Sequence, residues 1–210
     1  STKTISNLLN PINSHTSKIE SIPQSRRRKL RIWSRGEGSA ELKGETRLNQ
    51  SITLLDLASN DYLGLSRHPK LIEAAQTSMY EDGVGAGASR LVTGSRLIHK
   101  KLEEELADWL GQESVLLFPS GFQANIAAVF ALANRHTTVL ADTLIHHSLL
   151  MGVKASGAKL KRFFHNDLND LERYLKLSRH KSIQQAPLVL TESLFSMEGT
   201  SPPIKEVSIL

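Results

Sequence analysis

The 210-residue sequence contains no cysteine, which excludes disulfides, thiolate metal sites and a cysteine nucleophile together. No apolar run approaches the roughly 18 residues of a membrane-spanning helix. No membrane partner is therefore expected, and the chain reads as soluble and cytoplasmic. Aromatic residues are sparse at 5%, and beside the main basic cluster only Trp33 offers a platform on which bases would stack. A nucleic-acid partner is not expected. Internal repeats and low-complexity linkers are missing too. What remains has globular proportions, 40% apolar and 22% charged, in a chain long enough to bury a sizeable core.

Charge is unevenly placed. Residues 1–35 hold eight basic residues against the single acid Glu20. The rest of the chain carries 18 basic and 20 acidic residues, so the net charge of +5 belongs to an N-terminal arm. Its densest part, Ser25-Arg26-Arg27-Arg28-Lys29-Leu30-Arg31, suits either a polyanionic ligand or a solvated helix face.

From residue 46 onward the pattern alternates. Ser51–Leu57 has the β-branched and apolar content of a strand. Pro69 fits the first turn of a helix whose Leu71, Ile72, Ala75 and Met79 recur at helical spacing until Gly83. Ile98, Leu102, Leu106 and Leu110 form a second helical stripe, stopped by Gly111. Short apolar runs at 114–118, 138–142, 159–164 and 187–192 read as buried strands. Helices are expected between them, over 122–133, 145–156 and 167–179. Such alternation predicts an α/β fold, a mostly parallel sheet with helices on both faces.

Two glycine clusters differ in context. Gly83-Val84-Gly85-Ala86-Gly87-Ala88 fits the loose dinucleotide pattern G-x-G-x-x-G/A, which works only between a strand and a helix. A helix precedes it here, so it reads as a loop allowing close backbone approach. Phe118-Pro119-Ser120-Gly121-Phe122 instead joins a strand end to a helix start, where amide N–H groups, a hydroxyl and the helix dipole suit a phosphate. An ordinary βα turn also favours Ser and Gly there.

In open α/β sheets ligands sit outside the carboxyl ends of strands. The ends at 142–148 and 192–199 bring His146, Glu192 and Ser196 towards the same edge as Ser120 and Gly121. That set suits a phosphorylated planar cofactor. No metal site is expected from the His146–His147 pair alone.

Several ordered strings then resemble one family. They are Leu57-Ala-Ser-Asn60-Asp61-Tyr62-Leu-Gly64-Leu65, Gly85-Ala-Gly-Ala-Ser89-Arg-Leu-Val-Thr-Gly94, His99-Lys-Lys-Leu-Glu-Glu-Glu-Leu106, Phe118–Asn125, His165-Asn-Asp167 and Thr191–Gly199. Together, from about Arg26 onward, they resemble the α-oxoamine synthases. These are enzymes that use pyridoxal 5′-phosphate on the fold of aspartate aminotransferase (fold type I). The Gly85–Gly94 string is most similar to members that condense L-alanine with a pimeloyl thioester, on CoA or a carrier protein, releasing CO2 in biotin synthesis.

The resemblance implies roles. The Gly121 and Phe122 amides, with Ser120, would hold the cofactor phosphate, and His146 would stack on the pyridine ring. Ser196 would lie near the cofactor's phenolic oxygen, with Glu192 in the strand below. Asn60 would help to hold the amino-acid carboxylate, and Arg26 would face an acyl-CoA entrance. It also implies a basic arm and part of a small domain over 1–45, and an incomplete cofactor-binding large domain over 46–210.

Amino acid and acyl-CoA are the implied partners, with a homodimer for the full-length form. Leu210 precedes the places where the family's Asp-x-Ala-His segment and Schiff-base lysine are expected, so this chain is expected to be inactive alone. Lys154-Ala-Ser-Gly157 resembles a lysine followed by small residues, but falls on a helix surface in the register set by His146 and Arg162. The alternatives are a family member using glycine or serine (glycine C-acetyltransferase, 5-aminolevulinate synthase or serine palmitoyltransferase types) and a non-catalytic partner of a full-length homologue.

Overall fold

The computed structural model describes Pro23, residues 30–38, 40–45, 50–180 and 186–210. Most of the basic arm, Arg26 included, lies outside the described residues. The chain divides into two compact units, Ser1–Gly85 and Ala86–Leu210.

In the first unit, β1 (Ser34–Arg35), β2 (Glu41–Glu45) and β3 (Ser51–Leu55) form an antiparallel sheet in that order. Ser34 faces Lys43, and Lys43 faces Thr53. The sheet takes residues from both sides of position 45/46. Beyond β3 the Asp56 carboxylate accepts the Ala58 and Ser59 amides at 3.1 and 3.0 Å, an Asx-type turn that ends the strand. A 3₁₀ turn over Leu65–Arg67 leads into α1 (Pro69–Asp82), with Pro69 in the first turn as expected. The apolar stripe of α1 is not a core face: none of its residues is buried, and Leu71 is 52% exposed.

The second unit holds α2 (Leu97–Leu110), α3 (Gly121–Leu132), β4 (Thr138–Asp142), α4 (His147–Ser156), β5 (Lys159–Phe163), α5 (Leu168–His180), β6 (Leu188–Leu190) and α6 (Ile204–Ile209). Its sheet is parallel, ordered β5-β4-β6. Central β4 is an apolar run because both of its faces are covered. Val139 and Ala141 face a core with Val129, Ala133 and Val153 from α3 and α4, joined by Ile145 and Phe195. Leu140 points the other way, to Phe163 and to Leu171 on α5, with Val207 of α6 beside them. Helices therefore cover both faces, as the alternation predicts.

Helices α3 and α4 approach closely at Gly152. A Cβ there would lie 2.8 Å from the Val129 Cβ and 3.2 Å from the Ile126 carbonyl oxygen.

The run at 114–118 is not a strand. It pairs with no described strand, and side chains serve its backbone instead. The Leu117 amide donates to Glu103 Oε1 at 2.8 Å, and Arg90 Nη1 donates to the Leu117 carbonyl at 3.3 Å. Arg90 and Glu103 also form a two-pronged ion pair, at 2.7 and 3.0 Å. The guanidinium and the Leu117 amide hold the Glu103 carboxyl down at about 2. This pair ties α2 to the turn after Ser89, which closes through Val92 and Gly94 amides on the Ser89 carbonyl. Gly94 is obligatory in that turn, since a Cβ would sit 1.8 Å from the Ala88 carbonyl oxygen.

Candidate functional site

The start of α3 is built by its own sequence. Ser120 is the N-cap in an extended conformation, and its hydroxyl accepts the Gln123 amide at 3.2 Å. The Ala124 amide bonds the Ser120 carbonyl. Among the described residues, the Gly121 and Phe122 amides have no acceptor, so two N–H donors remain open at the positive end of a 12-residue helix. Nothing lies within 4 Å of where a Gly121 Cβ would be, which leaves that end accessible.

His146 caps the next helix. Its backbone amide donates to Glu192 Oε1, and its Nδ1 accepts the Ser148 amide at 3.2 Å. The same Nδ1 lies 2.6 Å from the buried Ser148 hydroxyl, which accepts Asn125 Nδ2 at 2.9 Å. A nitrogen that accepts an amide proton carries none of its own, so the neutral ring holds its proton on Nε2. The chain Asn125–Ser148–His146 therefore fixes both ring orientation and tautomer. The His146 and Phe122 rings meet edge-on, with centroids 6.4 Å apart.

The start of α3, the β4–α4 turn and the segment after β6 thus meet at Phe122, His146 and Glu192. Glu192 lies two residues beyond the end of β6 rather than in the strand, because β6 stops at Leu190. Ser196 follows the buried Phe195, is exposed, and makes no hydrogen bond among the described residues. Asn60 belongs to the first unit, where it is exposed on a bend after β3. It does not line that unit's cavity of about 420 Å³, bordered by Trp33, Arg35, Asp56, Asp61 and Tyr62. Arg26 lies outside the described residues. Lys154 is exposed in the last turn of α4, as a solvated helix face requires.

Some site-supporting residues carry no individual role in the sequence reading. Asn125 and Ser148 are joined only across 23 positions, and the reading of the Phe118–Asn125 string stops at Phe122. Asp142 and His165 pair at 3.0 Å, also across 23 positions. The signal for the second pair is register: Asp142 ends β4 opposite Phe163 of β5, which sets His165 just past the neighbouring strand end. No group of three or more potential metal ligands occurs among the described residues. No described helix is long and apolar enough to cross a membrane.

A dianionic phosphate attached to a flat ring fits this donor set. Two open amides and the helix dipole suit the phosphate, while an exposed, oriented imidazole lies beside them.

A family model described as aminotransferase class I and II matches residues 52–210. An 8-amino-7-oxononanoate synthase of Photobacterium profundum is 44% identical over 160 residues, 76% of this chain and 41% of that protein. The solved 8-amino-7-oxononanoate synthase of Francisella tularensis is similar with TM-score 0.58 and 27% identity, covering 72% of this chain and 41% of the other. Sphingomonas wittichii serine palmitoyltransferase is similar with TM-score 0.81 and 25% identity, covering 96% of this chain and 49% of that one. The chain thus spans about two fifths of the length of the curated relative, and pyridoxal 5′-phosphate is the cofactor of its family. Over most of its length, then, this chain belongs to the aminotransferase class I and II family, on the α-oxoamine synthase branch with the fold of the pyridoxal-phosphate transferases.

Proposed function

We propose that residues 120–122, 146, 192 and 196 form the cofactor side of a decarboxylative acyltransferase that condenses L-alanine with pimeloyl-CoA or pimeloyl carrier protein. The product of this reaction in biotin synthesis is 8-amino-7-oxononanoate, formed with loss of CO2. The observation that carries the reading is the pair of open amides at the start of α3 beside an oriented His146. The Gly121 and Phe122 amides bind the phosphate, with the Ser120 hydroxyl holding the first turn in shape. His146 would stack on the pyridine, its ring oriented by the bond at its Nδ1. Glu192 holds the His146 backbone, and Ser196 presents a hydroxyl to the cofactor's phenolic oxygen. Bound there, pyridoxal 5′-phosphate supplies an electron sink for carbanion chemistry at the amino-acid α-carbon.

Asn60 is assigned to the amino-acid carboxylate and Arg26 to the acyl-CoA entrance. Residues 1–45 supply a basic arm and part of a small domain, and 46–210 part of the cofactor-binding domain. The protein works in the cytoplasm as a homodimer. A serine-using, long-chain synthase is the second reading, supported by the higher TM-score of the serine palmitoyltransferase fold. The higher sequence identity to an 8-amino-7-oxononanoate synthase favours the first.

The test offers the protein, loaded with pyridoxal phosphate, two amino acids, L-alanine and L-serine, against two thioesters, pimeloyl-CoA and palmitoyl-CoA. L-alanine with pimeloyl-CoA should give the only decarboxylated condensation product by mass spectrometry. Product from L-serine and palmitoyl-CoA instead selects the second reading. No product from any pairing removes both.

A further inference from the structure

Asp142, His165 and Thr200 form a relay, buried at Asp142 and half-buried at the other two, between three segments that the cofactor assignment does not use. Asp142 ends β4 and is completely buried. Its carboxyl oxygens accept the Leu144 amide at 2.8 Å and the Asn166 amide at 3.0 Å, and His165 Nδ1 lies 3.0 and 3.1 Å from them. A carboxylate only accepts, so Nδ1 carries the proton that faces it. Nε2 is left to take the Thr200 hydroxyl at 2.8 Å, with Asn166 Nδ2 at 3.1 Å.

The far end of this relay is a turn. The Phe195 amide donates to the Thr200 carbonyl and the Gly199 amide to the Phe195 carbonyl, both at 2.8 Å. Phe195 is 1% exposed and meets the His165 ring edge-on, with centroids 4.5 Å apart. His165 therefore touches the turn at both of its ends, through the ring of Phe195 and the hydroxyl of Thr200. Between those ends, Ser196, Met197 and Glu198 are exposed. Apolar packing alone would fix Phe195 and leave the other end of the turn free to swing.

We infer that His165, fixed by Asp142, is a positioning residue that sets the 195–200 turn and with it the place of Ser196. The value of that placement for the cofactor rests on the function proposed above; the ordering of the turn does not. Asn166 adopts φ of +56° beside His165, and its amide nitrogen reaches the Ser201 carbonyl at 3.4 Å. That side chain ties the continuation of the turn to the same point.

The experiment compares the whole 210-residue chain with Thr200→Val and Thr200→Ser by residue-resolved amide hydrogen exchange. Valine keeps the branched shape and removes the hydroxyl, whereas serine keeps the hydroxyl and removes a methyl. Exchange at the Phe195 and Gly199 amides should rise by about threefold to tenfold in Thr200→Val, the range for one lost hydrogen bond. In Thr200→Ser it should stay near the unmodified value, and β4 amides should be unchanged in both. Protection in Thr200→Val equal to the unmodified chain overturns the inference. So does equal loss in both variants, which makes the methyl the anchor, or an equal rise throughout β4, which makes the effect global. Titration of the unmodified chain with pyridoxamine 5′-phosphate is read separately. Failure to bind there removes the cofactor assignment and leaves the result on the turn standing.

Discussion

The two units of this chain reach regular structure by different means. Among the described residues, every buried apolar side chain, from Ala107 to Phe195, belongs to the second unit. The first unit builds three strands and a 14-residue helix with none. Its order comes from strand pairing, the Asp56 turn and short polar ties. One of these is the Asp61 carboxyl, which accepts the Ser66 amide and hydroxyl and is lowered below the usual carboxylate range mainly by that hydroxyl. Sheet pairing and turn chemistry thus specify shape, while burial of apolar surface specifies where large stabilisation resides.

Core truncation should separate the units most. Leu140→Ala removes a side chain only 1% exposed, and should cost about 2–5 kcal/mol in urea unfolding of the second unit. A smaller loss is expected from Gly152→Val. Its added atoms meet Val129 and the Ile126 carbonyl, an overpacking of about 1–3 kcal/mol by the same measurement.

The Arg90–Glu103 clamp should show itself through pH. With the folded carboxyl at about 2 against an ordinary 4.5, its stabilisation is complete above 4.5 and fades as pH falls towards 2. Glu103→Gln should flatten that part of the stability–pH curve and expose the turn after Ser89 to proteolysis. An unchanged curve would remove the clamp. The smallest effect belongs to the first unit. Leu71→Ala, at a side chain 52% exposed, should change stability by less than about 0.5 kcal/mol. A loss near that of Leu140→Ala would erase the contrast between the units.

The same contrast governs what the sequence makes legible. Strand β4 falls at 138–142 as read, and α2, α3 and α5 lie within one or two residues of their expected ends. In those segments apolar period and burial coincide. Strand β2 is invisible to that signal, because Glu41-Leu42-Lys43-Gly44-Glu45 has no apolar run and its order comes from pairing with β3. Ser114–Phe118 fails in the opposite direction. Its apolar content matches a buried strand, but Glu103 and Arg90 take the Leu117 backbone groups.

The site divides likewise. Ser120, Gly121 and His146 stand at element starts, where capping and turn chemistry are written locally. The bonds that orient them, Asn125 to Ser148 and His146 to Glu192, join residues 23 and 46 positions apart. Local pattern carries no information about such partners. The α1 stripe shows the limit again: helical spacing identifies the helix correctly, but not what its apolar face meets.

The central claim is that the start of α3, beside His146, holds a phosphorylated pyridine. Calorimetric titration of the chain with pyridoxamine 5′-phosphate and with pyridoxamine tests it directly, since neither carries an aldehyde that would react with surface lysines. The phosphate should tighten binding by about tenfold or more, the scale of a charge at a partly buried helix end. Equal affinity for the two ligands would contradict the account.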